Sequence, residues 1–262
     1  MDSAVVEQYR SWFARFVRDH AAGSEQDQRN ILVKEKHTEE VCANSVRIAA
    51  GLGLGPRDTA LAETIALFHD VGRFPQYLRY RTFEDSRSVN HAVLGAKVLL
   101  EGSVLGDLPG RERDVIVQAV TLHNVFSLPP LLSDEVRLQA RIVRDADKLD
   151  IWRIFTGLLE QDRSEWPSAV SLGLPDGPGC SREILDALMR REMVKLASLR
   201  TLNDFKLLQL AWIYDLNFAP SLAMVLERRV IDRLSASLAG DDRLARVLDD
   251  LREHVRRRLD AS

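Results

Sequence analysis

The chain has 262 residues, 45% of them apolar and 29% charged, with a net charge of −3 and both signs mixed along its length. That supports one large domain, or a core with a smaller appendage, with enough apolar residues for a real core, and gives no argument for nucleic acid or an anionic membrane as partner. No apolar run reaches the about 18 residues of a membrane span, Cys42 and Cys180 show no paired spacing, and Asp2, Glu7 and Arg10 stand where a secretion signal is apolar, so mature protein in a reducing, cytoplasmic setting is expected.

Tyr9, Trp12, Phe13, Phe16 and Val17 recur at helical spacing and predict an amphipathic helix over 3–20. A second helix is predicted from about Asn30 to Gly51, with His37, Val41, Ser45 and Ile48 on one face. Gly51, Gly53, Gly55 and Pro56 end it. These glycines follow a helix rather than a strand, which argues against a dinucleotide loop. Arg57 to about His69 forms a third helix on the stripe Leu61, Ile65, Phe68, and Gly72 and Pro75 close it.

The stretch Gln76–Arg87, rich in arginine and aromatics, has the character of a loop, after which Ser88 or Asn90 can cap a helix carrying His91. Gly102–Gly110 connects to a helix from Arg111 to about Val125, where Ile116, Ala119, Val120 and His123 share a face. Pro129 and Pro130 break it. The next helix starts at Ser133 or Asp134 and runs through Asp150, with Val143, Asp147 and Ile151 facing inward. Residues 162–180, with Pro167, Gly173, Pro175, Gly177, Pro178 and Gly179, form an irregular connection, lid or linker. Helices fill about 181–260, the last charged one running from Asp241 to about Leu259. Nothing alternates at period two, so the fold class is all-α.

His37, His69, His91 and His123 all fall on helices or their ends, facing inward, with Asp70 and Asp147. One buried histidine is ordinarily a hydrogen-bonded core residue. Four with two carboxylates present many polar groups to satisfy at once, and divalent metal does this economically.

The order His37, His69-Asp70, His91, His123, Asp147 resembles the HD-domain superfamily of metal-dependent phosphohydrolases. The resemblance is carried by Lys36-His37-Thr38, His69-Asp70-Val71-Gly72-Arg73, Asn90-His91-Ala92, Leu122-His123-Asn124 and Asp145-Ala146-Asp147-Lys148-Leu149, over about residues 30–155. It implies a single HD-like helical bundle, 1–262, with extra C-terminal helices. It also implies one metal held by His37, His69, Asp70 and Asp147, and a second held by His91 and His123 with Asp70 bridging. A site with the first ion alone, His91 and His123 facing substrate, is the alternative. Nitrogen-rich ligation favours Mn, Fe, Co, Ni or Zn over Mg.

The implied activity is hydrolysis of a phosphomonoester or phosphodiester of a nucleotide or another small phosphorylated metabolite, through a metal-activated hydroxide. Asp70, Arg73 and Lys148 are the candidate catalytic residues. Arg73 stands where related proteins carry a lysine, and an arginine binds phosphoryl oxygens well but donates protons poorly. Arg79, Arg81, Arg87 and Asn124 are candidates to hold substrate, although a solvated loop explains the three arginines equally well. Two other activities share the ligand order: a di-iron oxygenase resembling HD proteins, and a regulatory module that senses a nucleotide. Leu207, Leu210, Trp212, Ile213 and Phe218 offer apolar surface for covering the site or for a homodimer face.

Overall fold

The structure, a computed structural model, describes residues 1–262 except 22, 164–165, 167–172, 178, 239–241 and 262. The only regular structure among the described residues is helix, with no strand, which is the expected all-α class. They fall into two compact units, Met1–Asp150 and Ile151–Ser262.

In the first unit, α1 (Ser3–His20) starts where the Asp2 carboxylate accepts from the Val5 amide at 3.1 Å. Then α2 (Glu25–Gly51) begins on a reciprocal capping box between Ser24 and Asp27. That box sets the start five residues ahead of the expected Asn30. Pro56 opens α3 (Pro56–Phe68), where a missing N–H costs nothing. Every residue of α3 from Thr64 to Phe68 is buried, because α2, α1 and α6 (Gly110–Leu122) all pack against it.

Aromatic rings of α1 bracket the turn that follows α3. Tyr9 and Trp12 meet Phe68 edge-on, and Phe13 and Phe16 meet Phe74 in the same way. Such pairs add about 0.5–1.5 kcal/mol each beyond the area they bury. They fix His69 and Asp70 between two anchored side chains.

Arg73–Tyr80 is a helix, α4, where the sequence predicted loop from Gln76 onward. Pro75 does not break it, because it occupies the first turn, whose N–H groups have no intrahelical acceptor. Arg81 ends the helix in the left-handed region at φ 56°. A 3₁₀ turn at Asp85–Arg87 leads to α5 (His91–Glu101), capped by the Asn90 side chain, which accepts from the Ala92 and Val93 amides. Helix α6 ends at Leu122 rather than near Val125. There Arg144, on α7 (Asp134–Leu158), donates to the carbonyls of His123, Val125 and Phe126.

Gly72 sets the distance between the turn and α5. A Cβ there would lie 2.2 Å from the His91 carbonyl oxygen and 2.5 Å from the Gly95 amide nitrogen. Only glycine lets the two backbones approach this closely.

In the second unit, α8 (Arg182–Met189) and α9 (Leu202–Ala211) precede a 3₁₀ turn at Trp212–Asp215, α10 (Ala219–Glu227), α11 (Val230–Ser235) and α12 (Asp242–Asp260). All ten residues of α9 are buried. On α12, Leu244, Val247, Leu251 and Val255 make the buried stripe of an otherwise charged helix, packed on α8 and α10. Leu207, Leu210 and Ile213 are buried within the chain, and Trp212 and Phe218 are half exposed. Asp241, the expected start of the last helix, lies outside the described residues, as do Pro167, Pro178 and much of the expected 162–180 connection.

Candidate metal centre

Asp70, the residue after the C-cap of α3, is the centre of the site. Its carboxylate is almost fully buried and its two oxygens face different ways. Oδ2 lies 3.7 Å from Nε2 of both His37 and His69. Oδ1 lies 3.2 Å from His91 Nε2 and 3.8 Å from His123 Nε2. Two groups result, His37–His69–Asp70 and Asp70–His91–His123, each with its ligand-type atoms within 4.8 Å of one another. Asp147 adjoins the first, its Oδ1 3.1 Å from His37 Nε2 and 3.9 Å from His69 Nε2. The structure thus brings together all six side chains that the sequence singled out.

All four imidazoles are held by Nδ1. His69 and His123 are the C-cap residues of α3 and α6. Each ring turns back on its own helix, donating from Nδ1 to the carbonyl three residues earlier, Ala66 or Val120, at 2.7 Å. Such carbonyls are otherwise orphaned at a helix end. His37 donates from Nδ1 to Asp150 Oδ2 at 2.6 Å, and His91 from Nδ1 to the Asp85 carboxylate at 2.8 Å. A carbonyl or carboxylate can only accept, so Nδ1 carries the proton in each neutral ring and Nε2 is a bare lone pair.

Those lone pairs are crowded. The Nε2 atoms of His91 and His123 are 2.9 Å apart, and those of His37 and His69 are 3.3 Å apart. Neutral nitrogens at these distances repel unless a proton or a cation lies between them. The donor set therefore could hold metal ions, with each imidazole oriented through its far nitrogen.

The site's electrostatics favour charged carboxylates, and bare nitrogens at His69 and His123. Burial, reinforced by His91 and His69, pushes the His123 imidazole down to about 3, and burial also lowers His69. Burial and Lys34 act to lower His37, but its bonds to Asp147 and Asp150 hold it above the ordinary value. Burial works against the charge on Asp70, yet Lys34, His69, His91 and Arg73 together hold its carboxyl well below the usual range. Asp147 is likewise lowered against burial, by its bond to His37.

The other candidates are placed less centrally. Arg73 Nε stands 3.4 Å from Asp70 Oδ1, while its Nη1 donates to Asp85, Gln76 and the Phe83 carbonyl. Lys148 is buried beside Asp147 on α7, with Nζ 3.5 Å from the Arg144 carbonyl. Asn124 donates to Asp85 and Asn90. Arg79 lies over the Tyr80 ring, Arg81 pairs with Asp27 and Arg87 with Glu84. Among the described residues, none of these three arginines makes a hydrogen bond or ion pair with the six.

Three participants escaped the sequence reading. Lys34 donates to Asp70 Oδ2 at 2.8 Å. It lies one turn before His37 on the same face of α2, a spacing visible in the sequence. Asp150 is likewise one turn after Asp147. Asp85 lies outside any regular helix, so no periodicity marks it.

Residues 35–152 match the family model of the HD domain. No curated protein and no solved structure matches the chain. The matched span runs from two residues before His37 to five beyond Asp147 and contains every ligand-type atom of both groups. Over this segment the chain is similar to the HD domain, a family whose members are typically metal-dependent hydrolases, and the two His/Asp groups are consistent with an HD-type site.

Proposed function

We propose that the chain is a metal-dependent phosphohydrolase, acting on a phosphomonoester or phosphodiester of a nucleotide or another small phosphorylated metabolite. One observation carries this reading. A single buried carboxylate, Asp70, offers one oxygen to each of two groups of imidazole nitrogens. Those residues would hold a pair of ions of the Mn, Fe, Co, Ni or Zn class. Bound there, such ions supply an acidified water and offset the negative charge of a phosphoryl group during in-line displacement.

The chain's own residues contribute orientation and charge. The Nδ1 bonds of the four histidines fix the rings before substrate arrives, which removes a reorganisation cost from the reaction. Lys34 and Arg73 place cationic groups at the two oxygens of Asp70. Lys34 is about one-fifth exposed, so its ammonium can reach an anionic oxygen entering from solvent. Arg73 and Lys148 are the proposed assistants to the phosphoryl group, and Arg79, Arg81, Arg87 and Asn124 the proposed outer contacts.

Among the described residues no helix is long and apolar enough to cross a membrane. Cys42 is a buried thiol outside any disulfide, which supports a reducing setting such as the cytoplasm. The test is phosphate release from a panel of nucleotides and sugar phosphates by protein loaded in turn with Mn, Co, Fe, Ni and Zn. Turnover with at least one metal, abolished in Asp70→Ala, is expected. Oxygen consumption by the iron-loaded protein with no phosphate release from any substrate would overturn the proposal.

A further inference from the structure

We propose that Asp85 is the positioning residue of the second group, and that it makes the Asp70–His91–His123 position depend on the segment between α4 and α5. The inference rests on the reading of the two groups as ion sites and concerns ion binding alone. Asp85 sits in the 3₁₀ turn at Asp85–Arg87, with its side chain about one-third exposed. Its carboxylate gathers four donors. His91 Nδ1 lies 2.8 and 2.9 Å from its two oxygens, Arg73 Nη1 and Gln76 Nε2 each lie at 2.9 Å from Oδ1, and Asn124 Nδ2 lies at 3.2 Å from Oδ2. These come from α4, α5 and the residue after His123, so one loop carboxylate ties together the three chain segments that frame the second group.

Asp85 acts in two ways. It fixes the His91 ring and its tautomer, so that Nε2 points at Asp70 Oδ1 and His123. It also occupies Arg73. The Arg73 Nε is buried without a hydrogen-bond partner and stands 3.4 Å from Asp70 Oδ1, the oxygen that the second ion needs. With Asp85 gone, Asp70 is the carboxylate left beside the guanidinium, and Arg73 competes directly with the ion.

The first group has no such dependence. His37 is backed by Asp150, a fully buried carboxylate on α7. Its other members, with the adjoining Asp147, come from the end of α3 and from α7.

Cobalt titration followed by visible absorption, with ion content by elemental analysis, tests the proposal. Wild-type protein is expected to take up two ions. In Asp85→Ala the second should bind about 10–100-fold more weakly, the range for losing the partner of a ligating histidine, with the first unchanged. Asp85→Asn, which keeps an acceptor for His91 and the side-chain volume, should show a smaller loss and guards against a folding artefact. Asp150→Ala should show the converse, weakening the first ion. Adding Arg73→Met to Asp85→Ala should restore part of the second ion's affinity. The proposal is overturned if Asp85→Ala leaves the second ion within about twofold of wild type, or weakens both ions equally. Wild-type protein that takes up a single ion overturns it while leaving the first group intact as a metal site. No uptake at all removes the metal centre itself.

Discussion

Both units of this chain bury charged side chains, but they use them differently. In the second unit, Asp204 is fully buried and saturated. Oδ1 accepts from the Ser181 amide at 2.8 Å, and Oδ2 accepts from the Ser181 hydroxyl and the Arg200 and Thr201 amides at 2.8–3.2 Å. Lys206, which burial lowers, donates to Asn203 and Ser237. In the first unit, the buried imidazoles spend Nδ1 on local acceptors and leave Nε2 aimed at other Nε2 atoms. Buried polarity that ends on backbone donors holds a fold together. Buried polarity that converges with its lone pairs exposed to one another is prepared for something from outside.

The largest test of that contrast is Asp70→Ala. Turnover should fall by roughly three orders of magnitude, several kcal/mol of lost charge stabilisation at about 1.4 kcal/mol per decade. Ion uptake should fall at both groups. Circular dichroism should stay unchanged and the melting temperature should hold within a few degrees. An unfolded variant would put Asp70 in the same category as Asp204 and erase the distinction. Asp204→Ala should do the reverse, costing about 3 kcal/mol in urea unfolding because three backbone N–H groups lose their acceptor. It should leave the ion content of the surviving folded protein intact.

Gly72→Ala comes next, at about 2 kcal/mol of stability, since the added methyl meets backbone rather than a side chain that can turn away. Because the strain falls between Asp70 and His91, ion uptake at the second group should suffer more than at the first, and elemental analysis reads this directly. The smallest effect concerns the thiols. Cys42 is fully buried, and burial pushes it up to about 12. At pH 8 it remains a shielded thiol, and iodoacetamide should leave Cys42 unlabelled in the native protein, as mass spectrometry of the digest would show. Rapid labelling of Cys42 would mean that the first unit opens far more readily than its packing allows.

Much of the site was legible because helices repeat. His37 shares a face with Val41, Ser45 and Ile48, and His123 with Ile116, Ala119 and Val120, so an inward direction follows from spacing alone. The all-α class and most helix positions follow from the same periodicity. What escaped obeys no period. Helix α4 was hidden by Pro75, whose harmlessness depends on its place in the first turn. Asp85 sits in an aperiodic turn, and only the folded chain brings it to His91. Arg73 was legible as a cation near the centre, but not its tether to Asp85 and Phe83. The early start of α2 was present as Ser24 and Asp27, a capping box followed by polar residues rather than by the apolar run that normally announces one.

The contact at Gly72 has a bearing on how the chain can vary. The gap between Asp70 and His91 is set where main chain meets main chain, at the His91 carbonyl and the Gly95 amide. Apolar residues elsewhere in the core can exchange and repack over generations with little change in that gap, because its closest approach is limited by backbone atoms. The ligand spacing is thereby insulated from drift in the surrounding interior. A Cβ at position 95 would press, at 3.2–3.3 Å, on the Val71 side chain and the Gly72 amide. Among natural variants, substitution should therefore be rarer at these two glycines than at the large buried residues around them.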